Sequence, residues 1–357
     1  MSYPKPPQSK SAVRRAGKNI ASGSNEPNFV QLLDEWRAAH GYVINTFQAW
    51  LKGHINTAGI SVEFAQRLKR KNTVIDKLRR CDEHNLPLIS DVVAMHDFAG
   101  CRMIFNRMSE LEDFRKRLHS NAIMRNVDHR LKHSLDKFDY IQSPKFSGYR
   151  GIHDVYQHFP RGHNRSDTAK KPWDGLLVEV QYRTRAQHAW ATAVEISDLL
   201  DGKRTKFAMD VDKRGRLFAL ASEVIARHHE DLSNSLIDLS DNQLSEELCQ
   251  LERELKVFKR LSLLKQIDKD KQLKRHNVLN MVVKNEGQID LEIYTFRNAH
   301  DAIEKATDLE SDLLSSNAVY VRSDNPNQLR SAYRNYFNDP VDFVELVKTA
   351  VPNLPVD

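Results

Sequence analysis

"LLVEVQYR", residues 176–183, is the stretch on which the fold turns. With side chains alternating along a strand, Leu176, Val178, Val180 and Tyr182 fall on one face and Glu179, Gln181 and Arg183 on the other. Any half-exposed strand shows an apolar face under a polar one, so alternation alone predicts only a sheet with one side covered. Its neighbours argue for more. Gly175 precedes it, "RTRAQHAWATAVE" (183–195) follows as a helix, and a strand packed beside that helix aims Glu179 and Gln181 into a cleft.

Three further stretches lie upstream. "SPKFSGYRGIHDVYQ" (143–157) gathers Lys145, Tyr149, Arg150 and His153 around Gly148 and Gly151, a turn running into a strand. "HDFAGCRMIF" (96–105) offers Asp97 as a second carboxylate, with Gly100 allowing a tight turn before the strand. Two carboxylates matter because Mg²⁺ is usually held by one or two of them plus substrate oxygens. His96-Asp97 also admits a metal-hydrolase reading, but the upstream segment supplies no further His and Asp set for it. "RLKRKNTVIDKLRR" (67–80) clusters Arg67, Lys69, Arg70, Lys71, Lys77, Arg79 and Arg80. Thr73 to Asp76 has the form of a capping box, predicting a helix from Val74 with cations beside its N-terminus. That suits phosphate, although a plain basic surface helix is the commoner meaning of such a run.

Composition bounds these readings. The 357 residues are 40% hydrophobic, enough for two domains with a real core. No run approaches the roughly 20 apolar residues of a membrane span, and the N-terminus has no apolar signal core. Three scattered cysteines, Cys81, Cys101 and Cys249, exclude a disulfide framework or Cys-rich zinc site and predict a cytoplasmic protein. Residues 1–200 carry 31 Lys and Arg against 21 Asp and Glu, while residues 201–357 carry 23 against 27. A basic first part attracts phosphate-bearing partners.

The expected organisation is a flexible arm over 1–28, a mixed domain over 29–205 with N-terminal helices, a helical segment over 206–275 and a small α+β unit over 276–357. Helical spacing covers 29–55, with Gly41 as a break, and also 74–84 and 109–120. Strands are expected at 101–105, 151–159 and 176–183, and "SEELCQLERELKVFKRLSLLKQ" (245–266) reads as one amphipathic helix. The tail reads as two strands around Asn-Glu-Gly, a helix over 299–314, the strand "NAVYVRS", an Asn-Pro-Asn turn and closing helices over 328–350.

Four spaced motifs carry a more specific signal. Arg-x-Lys-x-x-x-Thr-Val-x-x-Lys-Leu (67–78), Asp-x-x-Gly-x-Arg (97–102), Asp-Tyr-Ile-x-x-Pro-Lys-x-x-Gly-Tyr-Arg-x-x-His (139–153) and Val-Glu-Val-Gln-x-Arg-Thr (178–184) occur in this order. Together they resemble the RelA/SpoT nucleotide pyrophosphokinases over about 60–200. The resemblance implies an α+β nucleotidyltransferase-like mixed β-sheet flanked by helices, here with helical extensions and a small C-terminal α+β domain. It implies transfer of the β,γ-diphosphate of ATP to the 3′-hydroxyl of GDP or GTP, giving a (p)ppGpp-type alarmone. Arg67 and Arg102 would flank adenine, with Lys69 and Lys77 toward the phosphates. Lys145, Tyr149, His153 and Arg183 would meet the acceptor, with Tyr149 stacked on its base. Asp97 and Glu179 would hold Mg²⁺, and Asp97, Glu179 and Gln181 form the catalytic set, with Glu179 also able to take the hydroxyl proton.

Departures from the family pattern are Arg150-Gly151 after Gly-Tyr, Ser147 where asparagine is frequent and Tyr182 where isoleucine is usual. They are expected around the acceptor pocket. With fewer than 100 residues before Asp97, synthesis without hydrolysis is expected. A second reading is a toxin-like member that modifies the 3′ end of tRNA, restrained by its C-terminal domain until a regulatory protein or ligand binds there. A third is a catalytically silent nucleotide- or RNA-binding regulator, against which intact Asp97, Glu179 and Tyr149 argue. The oligomeric state is not legible in the sequence.

Overall fold

The computed structural model describes residues 3–82, 84, 87–125, 127–159, 171–201, 213–232, 236–262, 273–283, 289–311, 315–322 and 340–356. Its centre is a mixed sheet of β1 (Val62–Leu68), β2 (Ala99–Phe105), β3 (His129–Leu131), β4 (Ile152–His158) and β5 (Leu177–Thr184), in the order β1-β2-β5-β4-β3. Strands β2 and β5 run parallel, and the other neighbours run antiparallel.

Strand alternation divides the sheet as its sequence demands. Met103, Phe105, Val178, Val180, Tyr182 and Tyr156 face a core with Trp36, Val43, Phe47 and Leu51 of α2 (Pro27–Ala58) and Leu111 and Phe114 of α4 (Met108–Leu118). Each large apolar side chain removed from water there contributes roughly 1.5–3 kcal/mol. On the opposite face, register aligns Arg67, Gly100, Glu179 and Val155 in one cross-strand row and Ala65, Arg102, Gln181 and His153 in the next.

Several expectations change. The first 28 residues are not a loose arm. Helix α1 (Lys10–Ala21), capped by Ser9, buries Val13, Ala16, Gly17 and Ile20, an i, i+3, i+4, i+7 stripe hidden in sequence by the surrounding cations. Pro4 and Tyr3 are also tied down, by Trp173 Nε1 and Asn45 Nδ2. Helix α2 runs unbroken through the buried Gly41. The short α3 (Lys71–Leu78) precedes β2, and α5 (Asn121–Met124) follows α4.

Beyond β5, α6 (Arg185–Asp201), α7 (Lys213–His229), α8 (Asp241–Leu255) and α9 (Val257–Ser262) build a second core around Phe218, Leu248 and Phe258. The expected single helix over 245–266 is two, because Lys256 turns left-handed at φ 53°. The last helix, Val341–Ala350, buries Phe343, Val344 and Val347 in this same core rather than with the tail strands.

The tail sheet orders β6 (His276–Val283), β7 (Ile289–Phe296) and β8 (Ser315–Arg322) as β7-β6-β8. One face packs on α10 (Ala299–Ser311) through Val278, Ala302 and Tyr320. On the other, Leu279, Leu291 and Val319 meet Ala65 and Ile104 of the central sheet. The expected Asn-Glu-Gly and Asn-Pro-Asn turns, and the helical reading of 328–339, lie outside the described residues. Among the described residues no helix is long and apolar enough to cross a membrane.

Candidate active site

The polar face of the central sheet opens into a cleft of about 330 Å³. At one end stands Asp97, in the turn before β2. Lys69 Nζ lies 2.7 Å from its Oδ2, and Lys77 Nζ lies 3.0 Å from each carboxylate oxygen. Burial pushes the Asp97 carboxyl up, but the two lysines outweigh it and hold the group below its ordinary range. Burial also lowers Lys69, although Asp97 opposes the shift.

Helix α3 supplies Lys77, and it begins at Lys71 rather than Val74. Arg70 takes the N-cap position with extended backbone and no side-chain cap, so Thr73 and Asp76 lie inside the helix and the expected capping box does not form. That phase places Thr73 and Lys77, at i and i+4, along the cleft, where Arg80, just past the C-cap Arg79, joins them. Arg67 and Arg102 line its narrow end beside Gly100, a recess of about 50 Å³.

The other end is a chain of donors. Arg183 Nη2 donates to the Tyr149 hydroxyl at 3.0 Å. His153 bridges that hydroxyl through Nε2 at 2.5 Å and Glu179 Oε1 through Nδ1 at 2.9 Å. Gln181 Nε2 donates to Glu179 Oε2 at 2.6 Å, and Gln181 Oε1 faces Arg102 Nε and Arg183 Nη2 at 3.4 Å each. Burial alone lowers His153, but the Tyr149 oxygen and the Glu179 carboxylate raise it to about 9. Burial pushes Glu179 up, and His153 and Gln181 more than offset this, holding it well below the usual carboxylate range. Lys145 Nζ sits 4.1 Å from the Tyr140 ring centroid and 5.4 Å from that of Tyr149, a cation–π placement.

All eleven residues singled out from sequence line this one face, Arg67, Lys69, Lys77, Asp97 and Arg102 at one end, Lys145, Tyr149, His153 and Arg183 at the other, with Glu179 and Gln181 between. Residues 66–197 match the profile of a region found in RelA/SpoT proteins. This segment is a RelA/SpoT domain. No curated protein matches the chain in sequence. Among solved structures, the chain is similar to small alarmone synthetase 1 from Bacillus subtilis bound to its product pppGpp, at 23% identity and TM-score 0.40, covering 54% of this chain and 91% of that one. It is also similar to small alarmone synthetase 2 from the same organism, at 20% identity and TM-score 0.37 over 61% and 97% of the two chains. A GTP pyrophosphokinase family protein from Streptococcus pneumoniae follows at 22% identity and TM-score 0.33, over 61% and 90%.

Two departures of the RelA/SpoT domain do not face its cleft. Tyr182 is fully buried beneath the sheet, where Phe105 stacks on it, as strand alternation requires. Arg150 turns away to α7, where its Nη2 donates to Glu223 at 2.9 Å. Gly151 does border Tyr149 and Arg183 in the cleft. Its φ of 148°, with Tyr149 OH only 3.1 Å from where a Cβ would stand, leaves little room for a side chain.

Sequence reasoning passed over Tyr140 and Phe138, which also line the cleft, as does His96, read there only as half of a His-Asp pair. Tyr140 stood inside a quoted motif, and its edge-on contact with His153 at 5.4 Å gives it a place beside the Arg183–Tyr149–His153 chain. Arg79, one of the cations clustered over 67–80, donates to Ile20 O at 3.1 Å and Asn25 Oδ1 at 2.7 Å, fastening α3 to the α1–α2 connection.

Proposed function

We propose that the protein is a pyrophosphokinase that transfers the β,γ-diphosphate of ATP to the 3′-hydroxyl of a guanine nucleotide. The observation that carries this reading is one cleft holding two carboxylates, Asp97 and Glu179, among seven lysine and arginine side chains. Phosphoryl-type transfer requires little covalent chemistry from the protein; it requires in-line positioning and cations where charge develops. Lys69 and Lys77 can pass from Asp97 to phosphate oxygens. Arg67 and Arg102 suit a purine, because a flat guanidinium stacks where an ammonium cannot.

Asp97 and Glu179 fit Mg²⁺. They face one cleft, near enough for the Glu179 charge to raise Asp97, and among the described residues no third His, Cys, Asp or Glu joins them. A hard cation held there would rely on nucleotide oxygens for its remaining ligands. When bound it would supply charge neutralisation between the phosphates.

In the reaction the acceptor 3′-oxygen bonds to the β-phosphorus, the bond from that phosphorus to the α,β-bridging oxygen breaks, and AMP leaves. The hydroxyl proton passes to Glu179. His153 and Gln181 keep that carboxylate ionised before substrate arrives, and phosphate charge beside it pulls its pKa back up as transfer begins. Lys145, Tyr149, His153 and Arg183 form the acceptor side, with the half-buried Tyr140 ring beside them.

The second reading, transfer to the 3′ end of tRNA, is favoured by the basic first 200 residues, 31 Lys and Arg against 21 Asp and Glu. One experiment decides between them. The protein is incubated with γ-labelled ATP and, in parallel, GDP, GTP, ATP or deacylated tRNA; label on GDP or GTP supports the first reading, label on tRNA alone supports the second, and label on none refutes both.

A further inference from the structure

Helix α7 lies outside residues 66–197, yet it grips the loop that carries Lys145 and Tyr149. Ser222 Oγ donates to Gly148 O at 2.5 Å. Arg150 Nη2 donates to Glu223 Oε2 at 2.9 Å, with both side chains almost fully buried. At Gly148, with φ of 87°, a Cβ would stand 2.9 Å from Ala219 Cα and from Ser222 Cβ, so loop and helix touch backbone to backbone.

The helix side of this grip is itself fixed. Glu223 accepts from Arg227 Nε and from the Leu236 backbone N–H, each at 2.9 Å. A carboxylate so buried is tolerated only when such partners meet it, and once met it has one position. The loop side is short: Gly148 and Arg150 flank Tyr149 directly, and the Gly148 N–H closes a turn onto Lys145 O at 2.8 Å. Where α7 stands therefore decides where the Tyr149 ring and the Lys145 ammonium stand.

We infer that Ser222 and Glu223 are positioning residues for the acceptor side of the cleft, acting through Gly148 and Arg150. Neither lines the cleft. The inference rests on the proposed reading in that Lys145 and Tyr149 meet the acceptor.

The test is Ser222→Ala in the full chain, with two measurements. Amide hydrogen exchange over 143–151 reports the grip without any ligand, since the Lys145 and Gly148 N–H groups are both hydrogen-bonded in the loop. Steady-state kinetics with ATP and GDP reports its consequence. Exchange over 143–151 should quicken while β5 keeps its protection. The KM for GDP should rise about five- to tenfold, the scale of one lost hydrogen bond, with the KM for ATP unchanged and the melting temperature lowered by only a few degrees. Unchanged exchange overturns the inference, and so does a loosened loop with an unchanged KM for GDP or with both KM values rising together. Glu223→Gln is read by the same two measurements should Ser222→Ala not fold. Absence of transfer by the wild-type protein would instead defeat the proposed activity, leaving exchange to decide whether α7 holds the loop.

Discussion

At one end of the cleft Lys69 and Lys77 close on Asp97, and all three side chains keep some exposure, 15%, 33% and 20%. At the other, Tyr149 and Arg183 are 4% and 3% exposed and locked to His153, Glu179 and Gln181 before any ligand arrives. The first end is an exchangeable charge cluster, where an entering phosphate can replace a carboxylate as the partner of two ammonium groups. The second is preorganised, its geometry set by packing rather than by substrate. Substitutions at the open end should therefore cost activity and spare the fold, while those at the closed end should cost both.

Asp97→Asn tests this contrast at its strongest. It removes one charge from the open end and leaves shape unchanged, so transfer should fall by at least about 10²–10³-fold, the scale for losing one electrostatic stabiliser. Initial rates and a melting curve on the same sample decide it. A melting temperature lowered as far as the rate would show that Asp97 is structural, and the contrast would collapse.

Acid tests the core beneath the sheet next. On the outer strands β3 and β4, His129 and His158 are buried with their Nδ1 atoms 3.3 Å apart. Burial, and for His129 also the nearby His158, lowers them from 6.5 to about 3 and about 4. Beneath the open end, burial lowers His40, stacked on Phe98, from 6.5 to about 4. A depressed folded pKa means stability that is whole above about pH 6.5 and is lost as pH falls toward 4. Each histidine that must charge on unfolding costs up to about 1.4 kcal/mol per pH unit within that window; because the unfolded imidazole is only half protonated at about pH 6.5, the pair should cost about 2 kcal/mol between pH 6.5 and 5.5. Replacing His129 and His158 together by Phe should flatten the stability–pH slope by up to two protons, and His40→Phe by one. Equal flattening by both would contradict the assignment of the larger sensitivity to the His129–His158 pair.

How much of this was legible depends on what carries each feature. Strand alternation is local, so Glu179, Gln181 and Arg183 could be placed on one face, and Val178, Val180 and Tyr182 on the other, from eight residues. Strand β1 was hidden, because its alternation is interrupted by adjacent Phe64 and Ala65 and it ends in a run of cations. Helix α1 was hidden by the same kind of polarity. The grip of α7 on Gly148 joins residues 74 apart, and no periodicity records a contact of that range.

Tyr149→Phe has a smaller effect, confined to the closed end. The ring keeps its place, but the half-buried His153 Nε2 and the buried Arg183 Nη2 lose the oxygen they share. An unsatisfied buried donor costs about 1–3 kcal/mol, so denaturant unfolding should show a loss in that range alongside weaker acceptor binding. Tyr149→Ala should lose more, because the ring packs near Tyr140 and Trp190. Equal losses for the two would make the hydroxyl, and not the ring, the working part.

The smallest effect divides two adjacent arginines. Just past the end of α3, Arg80 lines the cleft with Thr73 and Lys77, while Arg79, the C-cap, turns to Ile20 and Asn25. A basic run that looks uniform in sequence is thus split between two tasks. Arg79→Ala should lower stability by about 1 kcal/mol, the typical worth of its hydrogen bonds at a half-exposed site, and leave transfer at the wild-type rate. Arg80→Ala should leave the melting temperature unchanged and raise the KM of a phosphate-bearing substrate a few-fold, an effect that shrinks as added salt screens the charge. If Arg79→Ala impaired transfer without loosening α1, measured by hydrogen exchange over Lys10–Ala21, then Arg79 would belong with the open end, and the split between the two arginines would be wrong.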